Sequence, residues 1–263
     1  MPVTQITNRC CLDITGNDAK SFLQGMVTND LDLLQGQPAL YACLLSPQGK
    51  FLHDFLITPI DGGYRLEILE DQAEILIKRL KLYKLRAKVI FEINEAQKIY
   101  AGWAEAEMPD GGYADPRLEN MGWRLISDEP VETTADFSAY DLLRIKAAVP
   151  DGGRDLTQEL STLYEGNIDL LHGVAYDKGC YMGQELTARM HYRGLIKKRL
   201  FPIKSVSGVL TTGEDLQRGG RFAGKIGSTV DNWGLVCLKT ADIETPHETA
   251  SGISVSITNP QDV

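Results

Sequence analysis

The chain has 263 residues and a formal net charge of −9, with 43% hydrophobic and 24% charged residues, which suits one elaborate globular domain or two modest ones. No apolar run approaches the roughly 20 residues that span a bilayer, so no membrane partner is expected, and the acidic balance argues against non-specific nucleic-acid binding. The opening Met1-Pro2-Val3-Thr4-Gln5 lacks a basic or apolar signal region, so the expected location is cytoplasmic, or the mitochondrial matrix in a eukaryote.

Residues 9–15 read as a short strand, followed by a helix through Phe22 and Leu23 to Gly25 with Asn17 or Asp18 as its cap. Gly25-Met26-Val27-Thr28-Asn29-Asp30 is small and polar and suits a loop. Apolar runs at 39–45 and 50–58 flank Ser46-Pro47-Gln48-Gly49, whose proline and glycine suit a type I turn, so a hairpin is predicted. Leu76, Leu80 and Tyr83 predict a helix over 71–84, with Glu74 and Lys78 paired one turn apart. Strands are predicted at 87–93 and 99–104, then a Gly-rich acidic loop over 105–115. Ser138 with Asp141 reads as a capping box that opens a helix ended by Pro150.

The stretch 151–185 shows little periodicity, and so long a loop in a compact domain is usually functional. A helix is predicted from about Gln184, with Leu186 and Met190 toward the core and Glu185 paired with Arg189. Beyond 196, β-type runs at 200–206, 221–226, 234–238 and 253–257 alternate with glycines, as in a small antiparallel barrel.

The five cysteines form no C-x-x-C pair, which argues against a disulfide scaffold or zinc finger. Cys10, Cys11, Cys43 and Cys237 sit among apolar neighbours and read as buried small hydrophobes. Cys180 lies between Gly179 and Gly183, just ahead of the predicted helix, with Lys178 nearby. A helix dipole and a neighbouring cation both favour thiolate, the nucleophilic and metal-ligating form. From Leu186 to Gly213 there is no acid, while Arg189, Arg193, Lys197, Lys198, Arg199 and Lys204 form a basic region suited to an anionic ligand or acidic partner. The four histidines show no metal-ligand spacing with a cysteine; His191 reads as a surface residue, and Trp103, Trp123 and Trp233 as core.

The run Lys178-Gly179-Cys180-Tyr181-Met182-Gly183-Gln184-Glu185-Leu186-Thr187-Ala188-Arg189, continuing to Tyr192-Arg193-Gly194, resembles the signature of the YgfZ family. Its members are folate-binding proteins that help mature iron–sulfur enzymes and are related to the aminomethyltransferase of glycine cleavage. Phe22 to Asp30, Ser46 to Lys50 and Tyr83 to Arg86 also look like family segments; Asp115-Pro116-Arg117 and Glu159 through Asp169 fit more loosely. The resemblance implies an α+β, aminomethyltransferase-like folate-binding body over 1–195, with about 46–135 as a candidate second subdomain. An antiparallel β-barrel domain over 196–263 follows.

It further implies tetrahydrofolate or a derivative as cofactor and Cys180 as the functional thiol, relaying or ligating a transient iron–sulfur cluster. Lys178, Gln184, Glu185 and Arg189 would shape the site, with Asp54 and Asn29 as folate-pocket candidates. A-type iron–sulfur carrier proteins and client iron–sulfur enzymes would be the partners. Two departures separate this chain from true aminomethyltransferases. Their Arg-Leu-Glu-Ala-Gly stretch is Arg144-Ile145-Lys146-Ala147-Ala148 here, and their paired aspartates are His53-Asp54. The expected function is therefore accessory work in assembling or repairing [4Fe-4S] enzymes, with folate-dependent aminomethyl transfer as the alternative.

Overall fold

The computed structural model describes residues 1–259, so the last four residues of the predicted barrel range lie outside it. β1 (Val3–Gln5) and β2 (Arg9–Thr15) precede α1 (Ala19–Gln24), and β3 (Leu40–Leu45), β4 (Phe51–Ile60) and β5 (Gly63–Leu69) form a meander ending in α2 (Ala73–Lys84). β6 (Ile90–Asn94), β7 (Lys98–Gly102), β8 (Tyr113–Ala114) and β9 (Trp123–Ser127) lead to α3 (Phe137–Lys146). α4 (Gln184–Tyr192) follows the long loop, and β10 (Lys198–Ser205), β11 (Asp215–Arg218), β12 (Arg221–Val230), β13 (Trp233–Lys239), β14 (His247–Thr249) and β15 (Ser254–Ile257) complete the chain.

The strands make three sheets. A five-stranded antiparallel sheet runs β3-β4-β5-β2-β6, a four-stranded one runs β1-β7-β9-β8, and the last six strands close a barrel in the order β10-β13-β12-β11-β14-β15. The expected α+β body with a C-terminal antiparallel barrel is thus observed. α1 and α2 bury Leu23, Leu76 and Leu80 against Leu12, Phe55 and Leu66 of the first sheet. A second core joins that sheet's other face (Tyr41, Cys43, Phe51) to Ile99, Tyr140, Leu163 and Tyr164. The barrel seats on the body through polar anchors. Asn167 Nδ2 donates to the Leu200 carbonyl at 2.8 Å, Arg199 Nη2 to Asp169 at 2.9 Å, and the Ser228 amide to Asp155 at 2.7 Å.

Several local expectations change in the tertiary setting. Asp18 holds the N-cap position of α1 but makes no cap bond; its carboxylate accepts the Lys88 amide instead. The Ser138–Asp141 capping box does not form: α3 starts at Phe137 with Asp136 as its N-cap, and the buried Asp141 is taken by Arg144 (2.6 Å) and Arg154 (2.7 Å). A capping box occurs at Thr162 and Glu165, heading a short 3-10 turn. α3 ends at Lys146, with Ala148 in the left-handed region at φ 52°, before Pro150 is reached. Among the ion pairs of the described residues, neither Glu74–Lys78 nor Glu185–Arg189 occurs; Arg79 pairs with Glu159. β1, β5, β8, β9, β11 and β14 have no counterpart in the sequence reading; of these, β5 and β9 each carry a buried charged residue, Glu67 and Arg124 respectively.

His53 on β4 is buried, and that burial, aided by the Arg79 charge, pushes its imidazole down to about 4. The unfolded chain protonates the same group near its ordinary value of 6.5. Between those values the unfolded state binds the proton and the folded state does not, so stability rises with pH through that window. On going from pH 7 to 4.5, His53 is expected to cost about 2–3 kcal/mol. Urea unfolding at both pH values checks this: His53→Leu should flatten the acid limb relative to wild type.

Candidate functional site

Three of the segments singled out in the sequence, around residues 24–30, 46–50 and 178–189, meet at one place. The loop at residues 25–29 lies alongside the chain at 173–182 and is laced to it. Thr28 Oγ1 donates to the Gly173 carbonyl at 2.6 Å, the Ala175 amide to the Thr28 carbonyl at 3.1 Å, and the Met182 amide to the Gly25 carbonyl at 3.0 Å. Lys178 closes this lacing. Its Nζ donates to the carbonyls of Gln24 (2.8 Å), Val27 (2.8 Å) and Asn29 (2.7 Å) and lies 5.2 Å from the centre of the Tyr181 ring. Burial pushes this ammonium down to about 8 against the pull of Asp30 and Asp32. The three carbonyl oxygens it donates to favour its charged form.

The β3–β4 turn packs onto the start of α4. Gly183, the N-cap of α4, has φ +80°, and a Cβ there would meet the Ser46 carbonyl oxygen at 2.5 Å. Gly49, closing the turn, has φ +77°, and a Cβ there would meet Leu186 Cβ at 2.6 Å. Both glycines are needed for positive φ and for close approach. Met190 packs against the second core, as expected, whereas Leu186 is half-buried on the turn and Thr187 is the fully buried residue of the helix.

Between the anchors at Lys178 and Met182 the chain turns outward, and Cys180 is exposed at that turn. It is the one exposed cysteine of the five. Burial pushes Cys10 up to about 11 and Cys11 and Cys237 up to about 12, and raises Cys43 well above its ordinary value, so these thiols stay protonated. Two sequence arguments for a thiolate at Cys180 are altered. The thiol precedes α4 by four residues instead of capping it, and the Lys178 charge is held by carbonyls. Gln184 Oε1 accepts the Tyr181 amide at 3.0 Å and so stiffens the turn behind the thiol, while Glu185 and Arg189 are exposed on α4. His191 is a surface residue stacked on Tyr176, with ring centroids 3.8 Å apart. No group of three or more metal-ligating side chains occurs among the described residues.

The same lacing walls a groove of about 580 Å³, lined by Asn29, Leu33, Leu40, Tyr41, Asp115 and His172 among others. Asn29 is fully engaged: its Nδ2 donates to the Tyr41 and His172 carbonyls at 2.8 and 2.7 Å, and its Oδ1 accepts the Asp30 amide. Asp54 lies behind Tyr41, accepting from Tyr41 Oη and Arg9 Nη2, each at 3.1 Å, and is not among the groove's lining residues. Behind the groove runs a buried ionic network that the sequence reading missed. Arg124 on β9 donates to Glu67 on β5 (2.9 Å) and to Asp115 (3.2 Å), Arg117 Nη2 to Asp115 (2.6 Å), and both arginines to the Tyr140 hydroxyl. Burial alone would raise the Asp115 carboxyl, but Arg117 and Arg124 hold it well below the usual carboxylate range. The one sequence signal for this network was the loosely matching Asp115-Pro116-Arg117. Lys146, at the position of the lost glutamate, lies over the barrel's Trp233 ring at 5.2 Å, and none of the three tryptophans lines the groove.

The groove's volume and its apolar and aromatic walls suit a flat bicyclic ring. Its carboxylates do not suit amine chemistry, since Asp115 and Asp169 are bound to arginines, as is Asp54 behind the wall.

Comparison with known proteins matches residues 197–263 to the model "CAF17, C-terminal beta-barrel domain". The chain is 33% identical to "Iron-sulfur cluster assembly factor IBA57, mitochondrial" of Homo sapiens, covering 92% of this chain and 78% of that protein. It is 31% identical to the Mus musculus protein of the same name with the same coverages. The Coccidioides immitis homolog is 32% identical over 76% of this chain, which spans 56% of that longer relative. Among solved structures, the glycine cleavage system aminomethyltransferase T from Bartonella henselae superposes with a TM-score of 0.77 at 15% identity, covering 98% of this chain and 84% of that one. That likeness shows the aminomethyltransferase-like fold.

Proposed function

This chain belongs to the IBA57 family of iron–sulfur cluster assembly factors, which is related to YgfZ, and we propose that it acts in assembly or repair of iron–sulfur enzymes, [4Fe-4S] enzymes above all, through Cys180. The observation that carries this reading is the exposure of Cys180 alone among five cysteines, on a turn anchored on both sides. A thiolate is the usual protein ligand for iron–sulfur cargo. An exposed thiol on a stiff turn can meet the ligands of an A-type carrier or a client enzyme without rearrangement of the core. Gln184 and Lys178 hold the turn, and Glu185 and Arg189 present charge beside it. Deleting the gene should depress [4Fe-4S] enzyme activities under oxidative stress, and plasmid-borne wild type should restore them; normal activities in the deletion strain would end this reading. The cytoplasm, or the matrix in a eukaryote, is where such enzymes would be served.

Tetrahydrofolate or a derivative is the proposed occupant of the groove, with Leu33, Leu40 and Tyr41 as the apolar wall. Asn29 would act by fixing the groove's rim, since its own side chain is fully bonded, and Asp54 by holding the Tyr41 hydroxyl. When bound, folate would supply a one-carbon carrier. The alternative reading, aminomethyl transfer, draws on the fold alone and lacks a free carboxylate to position an amine. Leu33 is 43% exposed, so Leu33→Trp should fill the groove without unfolding the chain. Calorimetric titration with tetrahydrofolate is expected to show binding weakened about tenfold or more by this change, because the indole takes space the ring would occupy. Equal affinity would place folate elsewhere.

A further inference from the structure

Residues 75–91 hold six cations, Lys78, Arg79, Lys81, Lys84, Arg86 and Lys88, and no acid, in a chain of net charge −9. Among the described residues only Arg79 of these is ion-paired, with Glu159 at 3.0 Å. The same stretch exposes large apolar side chains: Ile75 at 45%, Leu82 at 74%, Leu85 at 89% and Ile90 at 63%. On α2, Ala73, Leu76, Ile77 and Leu80 face the core, and the spacing of 75, 82 and 85 puts a second apolar stripe on the opposite face. Lys78 and Lys81 flank it.

Leu85 is the sharpest feature. It caps α2 in the left-handed region at φ 46°, a conformation unfavourable for leucine, and its side chain is almost wholly in water. Neither local conformation nor core packing rewards a leucine there. An external apolar phase would.

We propose that the exposed face and C-terminal turn of α2 form a peripheral attachment site for an anionic lipid bilayer surface. Leu82 and Leu85 enter the acyl boundary, Tyr83 sits at headgroup level, and the lysines and Arg86 reach lipid phosphates. Charge complementarity selects an anionic partner, and composition selects lipid over protein. Lysine is depleted from protein interfaces, whereas lysines around a leucine stripe can snorkel while their stems lie on the bilayer. RNA would call for more stacking surface than the single Tyr83. The remaining acidic surface is no obstacle, since charges more than about 8 Å from the lipid are screened at physiological salt. The absence of a spanning segment, which led to the expectation of no membrane partner, does not bear on surface attachment.

The test is co-sedimentation of the full chain with vesicles of pure phosphatidylcholine, or with about a third phosphatidylglycerol, at about 0.15 M salt. Wild type should prefer the anionic vesicles by about tenfold or more, and Lys81→Glu with Lys84→Glu should abolish that preference. Leu82→Gln with Leu85→Gln leaves the charge unchanged and should weaken binding about tenfold, which separates insertion from mere adsorption. Unchanged thermal unfolding of the leucine variant certifies its fold, as expected for exposed positions. A wild type that stays in the supernatant, or a leucine variant that binds as wild type does, overturns the proposal.

Discussion

Replacing Arg124 by Met is expected to lower the unfolding free energy by about 3–5 kcal/mol. Arg124 is among the most deeply buried side chains of the protein, and its guanidinium joins Glu67 on β5, Asp115 beside the groove and the Tyr140 hydroxyl on α3. Without it, Glu67 keeps only Arg9, at 3.9 Å, and its Oε2 already lacks a partner. An unpaired buried carboxylate must either take up a proton or draw in water, and both loosen the joint between the two sheets. Arg124→Lys should recover less than half of the loss, because an ammonium cannot present the planar fork that spans two carboxylates. Urea unfolding monitored by tryptophan fluorescence measures it; a loss below about 1 kcal/mol would mean that the network contributes little net stability.

Cys180→Ser is expected to abolish function while leaving stability within about 0.5 kcal/mol of wild type, the range for exposed substitutions. The thiol makes no hydrogen bond in the structure and is exposed, so nothing in the fold depends on it. The hydroxyl of serine is a far poorer ligand for iron than a thiolate. Anaerobic incubation with iron, sulfide and an A-type carrier, followed by absorbance and native mass measurement, should give a cluster-bridged species with wild type only. A cluster that forms equally well on both proteins would remove Cys180 from the role of ligand. In cells, the serine variant should behave as the deletion does. Lys178→Met is a useful companion, since it releases three carbonyls and should slacken the turn without touching the thiol.

Much of the site was legible because its signals are local. Gly49 and Gly183 stand where a positive φ and a close approach leave no room for a side chain, so they mark the turn and the helix start by themselves. The odd, unpaired cysteines and the setting of Cys180 already distinguished one thiol from the other four; the structure leaves only Cys180 exposed, with Cys11 and Cys43 buried but Cys10 and Cys237 half-buried. What the motif could not convey was the purpose of Lys178. Read along the chain it is a cation two residues from a thiol; in space it is the donor that closes the loop from Gln24 to Asn29.

By itself, then, the sequence determined the α+β body, the terminal barrel and the place of the turn that exposes Cys180, since these follow from apolar periodicity, glycine placement and a run of short-range motifs. Only the tertiary structure decided where the charged interior lies. β5 and β9 escaped the sequence reading because a strand with Glu67 or Arg124 among its inward residues breaks the apolar alternation that identifies strands. Each of those charges is tolerable inside the protein because the other stands 2.9 Å away and Asp115, Tyr140 and Arg9 complete the network, and that pairing across 57 positions of chain does not exist until the sheets have packed.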